Sequence, residues 1–120
     1  MVVSRLLVVD DEPALLNLLR KFLEKAGYTV VAAASGEDAL SLVAAAPETF
    51  AMVITDLTME KMGGEELVAR IREIRPRIPA LLMSGYPHVP VVGNTGFLQK
   101  PFLPDMLTAA VRKVLRESAS

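Results

Sequence analysis

The 120-residue chain has no cysteine, which excludes disulfides, thiolate metal sites and cysteine nucleophiles and suits a reducing cytoplasm. It also lacks a charge bias, with 13 basic residues against 14 acidic ones and a net charge of −1. Without a basic surplus to meet a phosphate backbone, direct nucleic-acid binding is disfavoured. No apolar run reaches the roughly 18 residues that a membrane-spanning helix needs. The opening "MVVSRLLVVDDE" has no signal-peptide stretch, so a soluble, cytoplasmic chain with no membrane partner is expected. Histidine is limited to His88, in a proline-rich loop without carboxylate neighbours in sequence, and it receives no role. What is present is apolar material: 52% of residues are hydrophobic and 22% charged, enough for one packed core, with the six methionines as fillers. The length fits a single domain over 1–120, and no internal repeat or linker interrupts it.

Two hydrophobic periods alternate along the chain. Short apolar runs bounded by Gly, Pro, Asp or Ser read as strands buried on both faces: "RLLVVD" (5–10), "TVVAAA" (29–34), "AMVITD" (51–56), "ALLMS" (80–84) and "GFLQK" (96–100). Helical spacing fills the gaps. "PALLNLLRKFLEKAG" places Leu15, Leu18, Leu19, Phe22 and Leu23 on one stripe, opens with Pro13 and stops at Gly27. "SGEDALSLVAAA" begins with Ser35 as a cap, with Asp38 three residues on. "GEELVARIREIRP" carries glutamates in its first turn and arginines in its last. "PDMLTAAVRKVLRES" offers Met106, Leu107, Ala110, Val111 and Val114 as an inner face. This βα alternation predicts a doubly wound parallel sheet with helices on both faces. Only Gly85 to Thr95 join the fourth and fifth strands. A parallel crossover takes about a dozen residues with its helix, so a fourth helix is expected to be shortened or missing there and the segment mobile.

Ligands of open α/β sheets bind beyond the carboxyl ends of the strands. At those ends sit Asp10 and Asp11, Asp56, Ser84 and Lys100. Crowded carboxylates repel unless a cation joins them, and hard oxygen ligands with no soft donors suit Mg²⁺. Lysine and a serine hydroxyl can meet phosphate oxygens, and an aspartate can accept a phosphoryl group, which makes Asp56 the candidate nucleophile. Taken singly the motifs have plainer uses: an Asp in "DDEP" as a helix cap, Asp56 as a turn residue, Phe97 as packing.

Together, "LLVVDDEPALL", "MVITDLTMEKMGG", "LLMSGYP" and "GFLQKPF" resemble the receiver domain of two-component response regulators, over nearly the whole chain. The resemblance implies a flavodoxin-like five-stranded sheet in the order 2-1-3-4-5. It implies that Asp56 takes phosphate from the phosphohistidine of a sensor histidine kinase or phosphotransfer domain. Asp10 and Asp11 would hold Mg²⁺ with Asp56 and the Thr58 backbone carbonyl, and Ser84 and Lys100 would bind the phosphoryl oxygens. Ser84 and Phe97 would form the conformational switch, Thr58 and Tyr86 would tune phosphate lifetime, and Lys100-Pro101 would be cis. The chain would be a regulatory phosphoacceptor that assists its own phosphorylation, not an enzyme in its own right, acting as a monomer or weak dimer on an unknown output partner. "SGYP" and "FLQKPF" are similar, more narrowly, to receiver modules ending hybrid sensor kinases.

Some residues depart from the family pattern. Glu60 stands where proline is usual and Gly63 where an acidic or polar residue is common, so a looser loop after Asp56 is expected. Other functions fit less well. An aspartate-nucleophile phosphohydrolase would need D-x-D and a substrate cap, a flavin or nucleotide binder would need a Gly- or Ser/Thr-rich loop after the first strand, and a phosphorylation-independent pseudo-receiver would not need all five polar tips intact.

Overall fold

The computed structural model describes residues 5–86 and 94–118. Strands β1 (Arg5–Val9), β2 (Thr29–Ala33), β3 (Phe50–Asp56), β4 (Ala80–Ser84) and β5 (Thr95–Gln99) form one sheet in the order β2-β1-β3-β4-β5. Every neighbouring pair is parallel. Each expected strand is found, with ends displaced by at most one residue. Helices α1 (Pro13–Lys25), α2 (Gly36–Ala45), α3 (Gly64–Ile74) and α4 (Pro104–Ser118) cover the sheet.

The strand period of two divides the core in half. Leu6 and Val8 of β1 join Leu19 and Leu23 of α1 and Leu107, Val111 and Val114 of α4 on one face. Leu7 and Val9 join Ala39 and Val43 of α2 and Leu67, Val68 and Ile71 of α3 on the other. Burying each of these leucine, valine and isoleucine side chains is worth about 1.5–3 kcal/mol over leaving it in water, which holds these short helices where propensity alone would not. Burial on both faces holds for β4, whose five residues are all buried, but not for the edge strands. In β2 only Ala33 and in β5 only Leu98 is buried, because each lacks a neighbour on one side. Leu18 and Met106 also differ from expectation: they are 45% and 47% exposed, at the rims of their helical stripes.

Local signals set the helix ends. Pro13 opens α1, where a missing N–H costs nothing. After α1, Gly27 adopts φ 101°, and the bonds Tyr28 N–H to Leu23 O (3.1 Å) and Gly27 N–H to Glu24 O (3.0 Å) close a Schellman turn. Ser35 caps α2, its Oγ accepting the Asp38 N–H at 3.1 Å. The β4–β5 connection runs through residues 87–93, so the expected short or missing helix, its mobility and His88 lie outside the described residues.

Parallel register brings the strand tips to one edge. Val9 pairs with Thr55, so Asp10 and Asp56 leave the sheet at the same level. Asp56 pairs with Met83, Ser84 pairs with Gln99, and the Lys100 N–H donates to Ser84 O at 2.7 Å.

Candidate functional site

Asp10 is 1% exposed at the end of β1. Its Oδ1 accepts the Glu12 N–H at 2.9 Å, so the turn-forming use of this aspartate is realised alongside any other. Glu12 itself is the N-cap of α1 and makes no side-chain cap. The buried Asp10 Oδ2 has no hydrogen-bond partner among the described residues. Lys100 Nζ stands 3.8 Å from it and 3.3 Å from Asp56 Oδ1, reaching across from the end of β5. Burial pushes the Asp10 carboxyl above its ordinary range. The Glu12 N–H and Lys100 oppose that shift, and the Asp56 and Asp11 charges add to it.

Asp10, Asp11 and Asp56 each present a carboxylate oxygen such that all three lie within 4.8 Å of one another. Among the described residues, three anions face one lysine, and one of their oxygens is buried without a donor. Such a set fits a hard, oxygen-binding metal ion better than it fits its own company. The Asp11 side chain is on the exposed rim, and its Oδ2 accepts the Glu60 N–H at 3.0 Å.

The remaining expected residues surround this cluster. Ser84 is 5% exposed at the tip of β4, and its Oγ accepts the Tyr86 N–H at 3.1 Å. Tyr86 itself is 77% exposed. Thr58 lies exposed in the loop two residues beyond Asp56. Phe97 is half-buried and packs against the core on the α2 and α3 face. The Lys100–Pro101 peptide is cis.

Sequence reasoning passed over several supports of the site. Gly64 lies so close to Asp56 that a Cβ there would overlap the Asp56 carbonyl oxygen, while its N–H bonds to Leu57 O at 2.9 Å. Buried Thr55 donates its hydroxyl to the Asp56 carbonyl at 3.0 Å. Arg72 of α3 donates to Ile78 O, Asn94 O and Thr95 Oγ1, tying the start of β5 to α3. The Gly63-Gly64 pair was a visible signal of a tight turn, whereas nothing local marked Thr55 or Arg72. The loop after Asp56 is also tied rather than loose: Met59 and Met62 are buried, and the Glu60 amide is engaged.

A parallel sheet in this order, with acidic tips on β1 and β3 opposed by a lysine from β5, defines a phosphoacceptor signalling module. The model of the response regulator receiver domain matches residues 6–112, and the chain belongs to that family, whose members act in two-component systems. It is 36% identical over 122 residues to the transcriptional regulatory protein GlrR of Escherichia coli K12, covering 97% of this chain and 27% of GlrR. Among solved structures it matches the receiver domain of the hybrid histidine kinase CckA at TM-score 0.84 and 30% identity, over 93% of this chain and 99% of that one. The chemotaxis protein CheY4 of Vibrio cholerae matches at TM-score 0.84 and 31% identity, over 93% and 98%. The chain spans 27% to 50% of the length of the first curated relatives. Among the described residues no helix is long and apolar enough to cross a membrane.

Proposed function

We propose that Asp56 is the phosphoacceptor of a single receiver domain spanning 1–120, taking its phosphoryl group from a phosphohistidine on a sensor histidine kinase or phosphotransfer domain in the cytoplasm. The observation that carries this reading is the approach of Lys100 Nζ to Asp56 Oδ1 at 3.3 Å, beside two further carboxylates within 4.8 Å. An Asp56 oxygen attacks phosphorus, the bond from phosphorus to the imidazole nitrogen breaks, and its electron pair stays on that nitrogen. Lys100 turns its charge from the carboxylate toward the transferred oxygens, and the Ser84 hydroxyl exchanges the Tyr86 amide for one of them. Asp10, Asp11, Asp56 and the Thr58 carbonyl would hold Mg²⁺, which would supply positive charge against the phosphoryl oxygens. Movement of Ser84 and Phe97 then passes the change to an output partner, and Thr58 and Tyr86 border the path of the hydrolysing water. The domain works as a monomer or weak dimer and as a regulator; its self-catalysed phosphorylation and dephosphorylation serve the switch. Transcriptional regulators stand among the relatives and the receiver domain of a hybrid histidine kinase among the similar structures, so the reading extends to either a regulator or a hybrid kinase as parent.

Incubation with acetyl phosphate and Mg²⁺, followed by intact-mass spectrometry, tests the assignment. One added phosphate is expected on the parent chain and none after Asp56→Asn or with a chelator. Equal labelling of Asp56→Asn would remove Asp56 from the role.

A further inference from the structure

The Glu60 amide meets Asp11 across 49 residues of sequence, with Glu60 N–H to Asp11 Oδ2 at 3.0 Å. The loop aims it there. The Glu60 carbonyl accepts the Met62 N–H at 2.7 Å across Lys61, whose φ is 68°. A three-residue turn at positive φ is strained for a residue with a Cβ, and it persists where neighbours over-determine it. Here Met62 is buried against Gly36 on one side of the turn, and Leu57 O accepts the Gly64 N–H at 2.9 Å on the other. The loop is thus folded, at some cost, into a shape that points a backbone donor at an otherwise exposed carboxylate.

From this we infer that the Glu60 backbone N–H is a positioning donor for Asp11, which orders that carboxylate for a divalent cation and links cation binding to the shape of the 57–63 loop. The inference rests on the reading of Asp10, Asp11 and Asp56 as the Mg²⁺ site. A carboxylate has about four acceptor positions, so one N–H on Oδ2 leaves Asp11 free to serve a cation as well. Hydrogen bonds to ligating carboxylates fix their orientation, and losing one costs roughly 10- to 100-fold in metal affinity. A proline at this position would have no N–H to give, so the link depends on residue 60 carrying a backbone amide. By reciprocity, a cation that holds Asp11 also holds the loop, and the loop senses occupancy of the acidic cluster before any phosphate arrives.

Calorimetric titration of the 120-residue chain with Mg²⁺ separates the backbone from the side chain. Glu60→Ala keeps the amide and should bind within about threefold of the parent, since an exposed charge is screened. Glu60→Pro removes the amide and should bind about tenfold more weakly or worse. In the unsubstituted chain, hydrogen exchange of the Glu60 amide should slow when Mg²⁺ is added. Equal affinities for the Ala and Pro variants would overturn the inference. So would exchange at Glu60 that is unchanged or faster with Mg²⁺, the mark of an amide that competes with the cation. If Glu60→Pro does not fold, the exchange experiment decides alone. A parent that binds no Mg²⁺, or an Asp11→Asn variant that binds as the parent does, would instead sink the metal site itself and this inference with it.

Discussion

Replacing Asp10 by Asn should stabilise the metal-free chain. Asp10 is 1% exposed, its Oδ2 has no donor among the described residues, and burial is the largest influence on its carboxyl, ahead of the attraction of Lys100. Relieving a buried, unsatisfied charged oxygen is worth about 1–3 kcal/mol. Against this stands a Lys100 contact of 3.8 Å, and Lys100 keeps its nearer partner Asp56 at 3.3 Å. A net gain of about 1–2 kcal/mol is therefore expected, or about 3–6 °C in Tm for each kcal/mol in a chain of this size. The pH dependence has a defined sign. A carboxyl raised above its ordinary 3.8 holds its proton more tightly folded than unfolded. Stability of the parent then falls as pH rises from that ordinary value through the raised one, and the full penalty stands above it. The advantage of Asp10→Asn should open across that window and stay level beyond it. Saturating Mg²⁺ should shrink or reverse the advantage, because the parent gains the free energy of binding the ion through one more carboxylate. Urea unfolding in EDTA and in Mg²⁺, at several pH values, reads all of this. A variant less stable than the parent in EDTA at neutral pH would refute the claim that desolvation outweighs the lysine.

Other substitutions probe the scaffold that aims the site. Gly64→Ala should cost about 1–3 kcal/mol in urea unfolding, because its Cβ collides with backbone that cannot swing aside, and should slow acetyl phosphate labelling by displacing Asp56. Arg72→Met should lose about 2–4 kcal/mol by the same measurement, since three acceptors at Ile78, Asn94 and Thr95 are left without their half-buried donor. Ser35→Ala should cost about 1 kcal/mol through loss of the α2 cap, and Ser35→Asp should restore most of it. Lys100→Met should slow phosphorylation without abolishing it, and in EDTA it should lower stability, because Asp10 and Asp56 lose the cation that faces them both.

Much of the scaffold is legible in linear order. Pro13, Gly27, Ser35 and the polar residues that end the apolar runs act on their immediate neighbours, so the helices and strands they delimit could be placed within a residue or so. The five polar tips could be singled out for the same reason, since each interrupts a hydrophobic pattern where a strand must stop. The edge strands were harder. "TVVAAA" and "GFLQK" look as apolar as a central run, and only their missing neighbours leave β2 and β5 half-exposed.

Proximity belonged to the assembled molecule. Asp10 and Asp56 stand level because β1 and β3 are adjacent and in register, and Lys100 reaches both because its strand lies two places beyond β3. The burial that raises the Asp10 pKa, the fit of Gly64 against Asp56 and the grip of Glu60 on Asp11 all join segments far apart in the chain. Periodicity and punctuation work over a few residues, so composition and spacing reveal which elements form and which side chains cap their ends. Distances, desolvation and hydrogen bonds between elements arise only once the sheet has set their order.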